Sequence, residues 1–250
     1  MLSYSDLYSL FDSDPAGIVE FLAWLADRNG LQEPVHVADV GAGPGRLLTP
    51  LARLGWSVTA YEPNAEFFKT AARVAAESNG RIAVKKGGFE DISEVSSFDL
   101  VISVNGPFAY LLTPAARSNG LRAAVRALRP SGLIVIDVPN FDWIVAHYRV
   151  PLRQERPFGG GTVELRREHV IDREKHVFTT IDHYEVRGSA PDARVVSQTH
   201  AYAMVSPETL VSELEASGLA AIRDFGSFES RTPRTTYGAR LLLVASKRAA

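Results

Sequence analysis

The chain has 250 residues and a formal net charge of -2, with 27 basic and 29 acidic side chains. This balance gives neither the basic surplus of a nucleic-acid-binding protein nor an acidic tail for a basic partner. There is no cysteine, so disulfides, thiolate zinc sites and cysteine nucleophiles are excluded. The first residues do not have the pattern of a signal peptide, and no apolar run approaches the roughly 20 residues that span a bilayer. We therefore expect a cytoplasmic protein without a membrane partner.

The first half of the chain alternates short apolar runs with stretches of helical periodicity. Apolar runs of this length predict buried strands, and the residues between them have apolar side chains at helical spacing. The predicted strands cover residues 35–40, 57–61, 81–85, 98–104 and 133–138. The predicted helices cover residues 46–54, 64–78 and 121–128. This alternation predicts a Rossmann-like α/β fold, doubly wound around a mostly parallel sheet.

The pattern changes after residue 139. We predict a helix at residues 140–149 and a glycine-containing loop at residues 151–161. Three strands with period-two alternation are predicted at residues 162–170, 176–186 and 194–205. A further helix and two strands are predicted at residues 207–217, 220–228 and 239–247. The complete prediction is a seven-stranded sheet with a three-stranded antiparallel insertion, because the three strands interrupt the elements of one sheet.

The most informative stretch reads VADVGAGPGRLL and contains the glycines Gly41, Gly43 and Gly45. Glycine permits a tight turn and lets a ligand approach the backbone closely, and the free N–H groups at a helix start are positively polarised. A dinucleotide fingerprint has the spacing G-x-G-x-x-G. Here the third glycine comes one residue earlier than in that fingerprint, and Arg46 occupies the position where the fingerprint has its last glycine. This spacing argues against an NAD-dependent oxidoreductase.

The order D-x-G-x-G-x-G, which begins at Asp39, resembles motif I of class I methyltransferases that use S-adenosylmethionine (SAM). SAM carries an ammonium and a sulfonium but no phosphate, so an acid beside the glycine loop suits it electrostatically. In that family the acid helps to hold the amino end of SAM. Glu62 follows the second predicted strand, where the family has its ribose-binding acid and where a carboxylate can accept hydrogen bonds from both hydroxyls.

Later segments resemble further motifs of the same family. GFEDI at residues 88–92 is similar to the segment that holds adenine, with Gly88 where the family often has Asp. The segments that begin FDLVISV and VRALRPSG resemble motif IV and the fifth strand, so the resemblance covers residues 35–140 well and extends more loosely through residues 206–228. It implies cofactor contacts from Tyr8, Asp39, Gly41, Ala42, Gly43, Arg46, Glu62, Pro63, Gly88, Phe89, Glu90 and Asn105.

The resemblance also predicts how the chain is organised around this site. YSDLYSLF resembles the family's lid helix, in which aromatic residues such as Tyr4 and Tyr8 cover the methionine end of SAM. The insertion resembles that of small-molecule enzymes such as the amino-sugar N-methyltransferases, where it roofs the active site. We predict a lid segment at residues 1–34 and a SAM-binding core at residues 35–140. A roofing insertion is predicted at residues 141–205, and a C-terminal helix with a strand pair at residues 206–250.

Two places are candidates for the acceptor site. Asn105 begins NGPF, which resembles the [DNS]-P-P-[YF] box of amino methyltransferases with a glycine in place of the first proline. It either shapes the SAM pocket or orients an acceptor amine. On the last predicted strand of the insertion, His200 and Tyr202 share one face, and His200 is the first candidate for a general base because an imidazole titrates near neutral pH. Further candidates are His183 and Asp137.

These patterns predict an enzyme that transfers a methyl group from SAM to an oxygen or nitrogen of a small-molecule metabolite. Such a displacement requires positioning and desolvation, without a metal or a covalent nucleophile. An RNA or protein methyltransferase would need a basic groove or aromatic platform, and residues 149–156 and 166–167 offer only short arginine clusters. A non-catalytic SAM-binding protein stays an open alternative. A homodimer is also expected, because roof strands of this kind can serve as dimer contacts.

Overall fold

A computed structural model of the chain describes residues 2–147, 152–188 and 194–248. The strands in these ranges are β1 (His36–Val40), β2 (Ser57–Glu62), β3 (Ile82–Lys86), β4 (Phe98–Ser103), β5 (Leu128–Pro139), β6 (Leu152–Phe158), β7 (Gly161–Asp172), β8 (Val177–Arg187), β9 (Arg194–Ala203), β10 (Leu219–Asp224) and β11 (Arg240–Lys247). The α-helices are α1 (Tyr4–Leu10), α2 (Ala16–Arg28), α3 (Leu48–Arg53), α4 (Ala65–Ala76), α5 (Pro114–Ala127), α6 (Phe141–His147) and α7 (Pro207–Ala216).

Seven of these strands form one sheet in the order β10-β11-β5-β4-β1-β2-β3. Neighbouring strands from β5 to β3 are parallel, whereas β11 runs antiparallel to both β5 and β10. The predicted mostly parallel, seven-stranded α/β sheet is confirmed. Because β4 and β2 lie on opposite sides of β1, the chain changes winding direction there, and a ligand crevice forms at the carboxyl ends of such strands.

Hydrophobic clusters cover both faces of this sheet. Trp56, Phe21 and Leu51 belong to one cluster, and Phe108, Leu121 and Phe141 belong to the other; all six side chains are buried. The central strands are therefore buried along most of their length rather than at alternate residues, as expected for a sheet that is covered on both sides. The rigid double layer fixes the loops at the carboxyl ends of β1, β2 and β4.

Helix α5 is longer than the sequence predicts. It begins at Pro114, where the Thr113 hydroxyl accepts a hydrogen bond from the backbone of Ala116 at 3.1 Å. The predicted helix at residues 121–128 omits the first turns because Ser, Asn and Gly interrupt the apolar pattern there. Gly120 is needed for contact with Phe89: a Cβ at Gly120 would lie 2.8 Å from the Cβ of that residue.

The insertion contains four antiparallel strands in the order β6-β7-β8-β9, so the prediction of three was wrong. Strand β6 lies where we predicted a loop. The sequence pattern concealed it because its residues are mostly polar and exposed, and because the consecutive glycines suggested a loop. Gly159 and Gly160 instead have φ values of 53° and 82° and form the two-residue hairpin turn to β7. The last two residues of the helix predicted at 140–149 and the first residue of the loop predicted at 151–161 lie outside the described residues.

Helix α1 lies between α4 and the insertion sheet. The Tyr4 backbone N–H donates to the Glu66 carboxylate at 3.0 Å, and the Ser5 and Thr70 hydroxyls are 2.9 Å apart. The Tyr4 ring also stacks on Phe67, with 5.1 Å between ring centroids. In the part of the chain that the structure describes, none of the helices combines the length and apolar character needed to cross a membrane.

Candidate active site

The loop after β1 forms a glycine-lined cradle at the carboxyl edge of the sheet. Gly41 has a φ of 79°, and a Cβ there would lie 2.3 Å from the Cβ of Pro107, so no larger residue fits. The backbone N–H groups of Gly41 and Ala42 both donate to the Tyr61 carbonyl, at 2.8 and 3.1 Å, which ties the loop to β2. Gly43 has a φ of 59°, and a Cβ there would meet no protein atom within 4 Å, so this side of the cradle is open to a ligand.

Asp39 lies at the base of this cradle, in β1. Its side chain is buried, and Oδ2 has no hydrogen-bond partner among the described residues. Burial raises the pKa of this carboxyl to about 7, with the Arg46 guanidinium acting in the opposite direction. A buried carboxylate without a partner is unfavourable, because it loses its hydration without a compensating bond. Asp39 is therefore suited to receive a cationic or hydrogen-bond-donating group from a ligand.

Glu62 lies opposite Asp39, at the end of β2. Its two carboxylate oxygens accept hydrogen bonds from the backbone N–H groups of Gly43 and Asn64, both at 2.7 Å. Burial raises the pKa of Glu62, whereas these two hydrogen bonds lower it. Each oxygen retains a further lone pair, so the carboxylate can also accept hydrogen bonds from two hydroxyls of a ligand. The neighbouring Asn64 caps α4, which holds Pro63 and Glu62 in place.

The predicted adenine segment forms a short 3-10 turn after β3. The Gly88 backbone N–H donates to the Asp91 carboxylate at 2.8 Å, and Glu90 is exposed. The Phe89 side chain is buried in the core, edge-to-face with Phe108 at 5.3 Å between centroids. Phe89 therefore has a structural role, and its contact with a ligand stays a prediction.

Arg46 connects the cradle to the N-terminal segment. Its Nη1 lies 2.8 Å from an Asp12 carboxylate oxygen and donates to the Ser13 carbonyl at 3.0 Å. Its Nη2 is buried without a hydrogen-bond partner among the described residues. Since Asp12 and Ser13 follow α1 directly, the guanidinium holds the chain beside the cradle and retains N–H groups for a further acceptor.

An ion pair between a buried carboxylate and a partly exposed arginine fixes the turn after β4. The Asn105 backbone N–H donates to the Asp137 carboxylate at 2.7 Å, and the Asn105 side-chain oxygen accepts from Arg240 at 3.0 Å. The Arg240 guanidinium also binds both oxygens of Asp137. Asp137 is fully buried and its oxygens are engaged, so it holds the turn, and a contact of Asp137 with an acceptor stays a prediction. Arg240 could not be identified from the sequence, because it belongs to no motif.

His200 and Tyr202 face the same side of the insertion sheet, towards the core. The imidazole Nε2 lies 3.1 Å from the Tyr4 hydroxyl oxygen, and Nδ1 lies 2.8 Å from the Tyr110 hydroxyl oxygen. The Tyr110 and Tyr202 hydroxyls are 3.2 Å apart. We refer to these four side chains, Tyr4, Tyr110, His200 and Tyr202, as the aromatic chamber.

The aromatic chamber favours neutral side chains. Burial lowers the pKa of His200, and the Asp182 carboxylate opposes this effect only in part. Burial also raises the pKa values of Tyr4, Tyr110 and Tyr202. At neutral pH the imidazole is therefore an uncharged proton acceptor, and the phenols around it stay protonated.

Two charged groups beside the chamber neutralise each other. Asp182 is buried and receives two hydrogen bonds from the Arg167 guanidinium, at 2.6 and 2.7 Å. Sequence reasoning missed this pair, since the two residues meet only through the register of β7 and β8. His183 alternates to the opposite face, where its Nδ1 lies 2.8 Å from the Ser197 hydroxyl. His183 therefore lies on the other face from His200, and its role as a base stays a prediction.

Comparison with known proteins finds similarity to methyltransferases over part of the chain. Residues 37–132 match the family model described as a methyltransferase domain. A ubiquinone biosynthesis O-methyltransferase of Caulobacter sp. (strain K31) is 33% identical over 122 residues, which cover 46% of this chain and 45% of that protein. Glycine N-methyltransferase of Rattus norvegicus is 28% identical over 140 residues, covering 51% and 48%. The chain thus spans about half the length of the curated relatives it matches.

Solved structures match nearly the whole chain. DesVI of Streptomyces venezuelae superposes with a TM-score of 0.80 at 18% identity, covering 99% of this chain and 100% of that one. The sugar N-methyltransferase KedS8 of Streptoalloteichus sp. ATCC 53650 also gives a TM-score of 0.80, at 21% identity, covering 99% and 93%. At these identities the likeness establishes the fold.

Proposed function

We propose that this chain, which contains a methyltransferase domain in the class I SAM-dependent fold, transfers a methyl group from SAM to an oxygen or nitrogen of a small-molecule metabolite. One observation carries the proposal. The Asp39 oxygen, which has no partner among the described residues, lies in the strand that leads into the glycine loop. The Glu62 carboxylate accepts a hydrogen bond from Gly43, whose other side is open. Two acids and no phosphate-binding loop suit a ligand that is cationic at one end and carries ribose hydroxyls.

Three residues of the cradle would each hold a different part of the cofactor. Asp39 would hold the amino group, and Glu62 would accept hydrogen bonds from the ribose hydroxyls. The buried Nη2 of Arg46 would donate to the carboxylate of the methionine end. When bound, SAM supplies a methyl group on a sulfonium, which is activated for transfer to a nucleophile.

The insertion and the lid supply the remaining functions. The strands β7, β8 and β9 would cover a bound acceptor and exclude water from it, which would strengthen the electrostatic interactions around it. His200 removes the acceptor proton through a ring nitrogen, because its lowered pKa keeps the imidazole neutral and ready to accept. Tyr110 orients the ring from the other nitrogen. Asn105, in the turn after β4, would either shape the SAM pocket or orient an acceptor amine.

Isothermal titration calorimetry with SAM and with NAD tests the cofactor assignment. We expect SAM to bind and NAD to give no heat of binding, because the cradle has no site for a pyrophosphate. Release of S-adenosylhomocysteine in the presence of metabolite extracts then distinguishes an enzyme from a silent SAM-binding protein. Binding of NAD without binding of SAM would contradict the proposal.

Replacing Gly43 with Ala is expected to weaken SAM binding by at least tenfold. The added methyl group would fill the open side of the cradle, where no protein atom lies within 4 Å. Gly55→Ala is the matched control, because Gly55 also has a positive φ, of 91°, and open space around it. Both substitutions should cost about 1 kcal/mol of folding stability through the left-handed backbone. Equal loss of SAM affinity in the two variants would refute this account of the cradle.

Replacing His200 with Gln is expected to lower kcat by about 100-fold to 1,000-fold while the Kd of SAM changes little, because a positioned general base contributes on this scale. The imidazole contacts the acceptor side and not the cradle. Steady-state kinetics with SAM and an acceptor that the wild type methylates give kcat, and calorimetry with SAM gives the Kd. A variant that retains full kcat would exclude His200 as the base.

A homodimer and a cytoplasmic location also form part of the proposal. The exposed face of the insertion sheet, with Val170 and Val195 solvent-accessible, is the surface on which a second copy would dock. Light scattering coupled to size-exclusion chromatography measures the oligomeric state, and a monomer at micromolar concentration would contradict the dimer.

A further inference from the structure

A depression lies between α2, the strand pair of β10 and β11, and the loop that follows β10. Its volume is about 170 Å³, and its floor consists of the buried side chains of Leu25, Leu133, Phe225 and Val244. Leu133 precedes Asp137 by four residues on β5, so the floor lies about 13 Å back along that strand from the turn after β4. The depression is therefore separate from the cradle and from the aromatic chamber.

Three arginines from three different elements line this depression. They are Arg28 at the end of α2, Arg223 in β10 and Arg231 in the loop after β10. None of the described residues that line it is acidic. The guanidinium groups of Arg28 and Arg223 have no hydrogen bond and no ion pair within the described part of the chain. Like charges that converge without a counter-charge repel one another, and a concave apolar surface concentrates their field. The depression therefore attracts an anion.

Arg231 is held in place before any ligand binds. Its guanidinium lies 5.5 Å from the ring centroid of Phe21 and 5.4 Å from that of Trp24, whose ring also lines the depression. Its Nη1 donates to the carbonyl oxygens of Phe228 and Ser230, at 2.7 and 3.3 Å. The Nε and Nη2 groups of Arg231 have no acceptor among the residues that the structure describes. They form a planar fork that matches the two oxygens of a carboxylate.

A β-bulge brings Arg223 to this face of the sheet. Between Ala220 and Arg223 the register of β10 shifts by one residue, so that Arg223 pairs with Val244 on β11. In an unbroken ladder Arg223 would pair with Leu243, which belongs to the hydrophobic cluster on the opposite face. Ala221, in the bulge, has a φ of 51°, which is unfavourable for a residue with a side chain. The bulge therefore directs Arg223 to the side on which the other two arginines lie.

We propose that this depression is a binding site for a small carboxylate that carries a single apolar ring. The carboxylate would bind the guanidinium groups and relieve their repulsion, and the ring would pack on Trp24 and the apolar floor. A cavity of about 150 Å³ is large enough for a benzene ring, and this depression measures about 170 Å³. The inference does not depend on the proposed function, because the site lies away from the cradle and is tested without SAM.

Four probes separate the contribution of the charge from that of the ring. Benzoate has both, benzamide has the ring without the charge, and acetate and inorganic phosphate have the charge without the ring. Calorimetry at low ionic strength should give the lowest Kd for benzoate, with the other three at least about tenfold weaker. Added salt should weaken benzoate binding, because it screens the arginines. Benzamide binding as tightly as benzoate would overturn the role of the arginines, and phosphate or acetate binding as tightly would reduce the site to an adventitious ion only.

A substitution at the rim shows where benzoate binds. Arg223→Gln removes one charge-assisted partner and should weaken benzoate binding by about tenfold. Arg53→Gln is the matched control, because Arg53 is an exposed arginine at the end of α3 that does not line the depression. Both variants should melt at the wild-type temperature, since neither guanidinium has a partner in the described part of the chain. Benzoate affinity that is unchanged in Arg223→Gln, or reduced equally in the two variants, would overturn the site.

Discussion

Replacing Glu62 with Gln is expected to weaken SAM binding by about 100-fold. The carboxylate of Glu62 would accept hydrogen bonds from the ribose hydroxyls, and charge-assisted hydrogen bonds of this kind contribute about 1.5–3 kcal/mol each. An amide also presents an N–H group to one of the two backbone donors, Gly43 or Asn64, that the carboxylate now binds. The variant should therefore unfold at a lower temperature as well. Calorimetry with SAM and thermal denaturation measure the two effects.

Glu77→Gln is the control for this substitution, because Glu77 is an exposed acid at the end of α4. It should leave both the Kd and the melting temperature unchanged. A Glu62→Gln variant that binds SAM as tightly as wild type would exclude Glu62 from the ribose site, even if the melting temperature falls.

The second large effect concerns Asp39, whose substitution should change stability and binding in opposite directions. Its pKa in the folded chain is raised to about 7, so the folded state holds the proton more tightly than the unfolded state does. The stability of the cofactor-free protein therefore falls as the pH rises from about 4 to 7, and Asp39 is destabilising above that range. We expect Asp39→Asn to be more stable than wild type at pH 8 without SAM, and the gain to disappear towards pH 4.

SAM binding should show the reverse dependence on pH. The amino group of SAM requires the ionised Asp39, so the affinity of wild type should fall by up to tenfold for each pH unit below 7. The Asp39→Asn variant should bind SAM weakly at every pH from 5 to 7.5 and lack this slope. Calorimetry across this range gives the comparison, and a wild-type Kd that is constant from pH 5 to 7.5 would contradict the role of Asp39.

The cradle could be predicted from sequence because its determinants are local. Asp39 and Gly41 are two residues apart, and Glu62 ends the adjacent strand, so the order of residues along the chain fixes their proximity. The alternation of β8 and β9 likewise predicted the shared face of His200 and Tyr202, because side chains on a strand repeat every two residues.

The parts that sequence reasoning missed depend on contacts between distant residues. Arg240 meets Asn105 only because β11 lies beside β5, and no local pattern encodes that neighbour. The contact of Tyr110 with His200 likewise requires the insertion to fold back over the core. The strand β6 was missed for a different reason, since its exposed polar residues give no apolar period and only pairing with β7 identifies it.

The central claim is that Asp39 and Glu62 hold the two ends of a bound adenosyl-amino acid, and a crystal structure with S-adenosylhomocysteine tests it most directly. We predict the amino group within hydrogen-bond distance of the Asp39 oxygen that has no partner in the described part of the chain, and both ribose hydroxyls within hydrogen-bond distance of Glu62. The ligand bound elsewhere, or in the cradle with both carboxylates remote from it, would contradict the account.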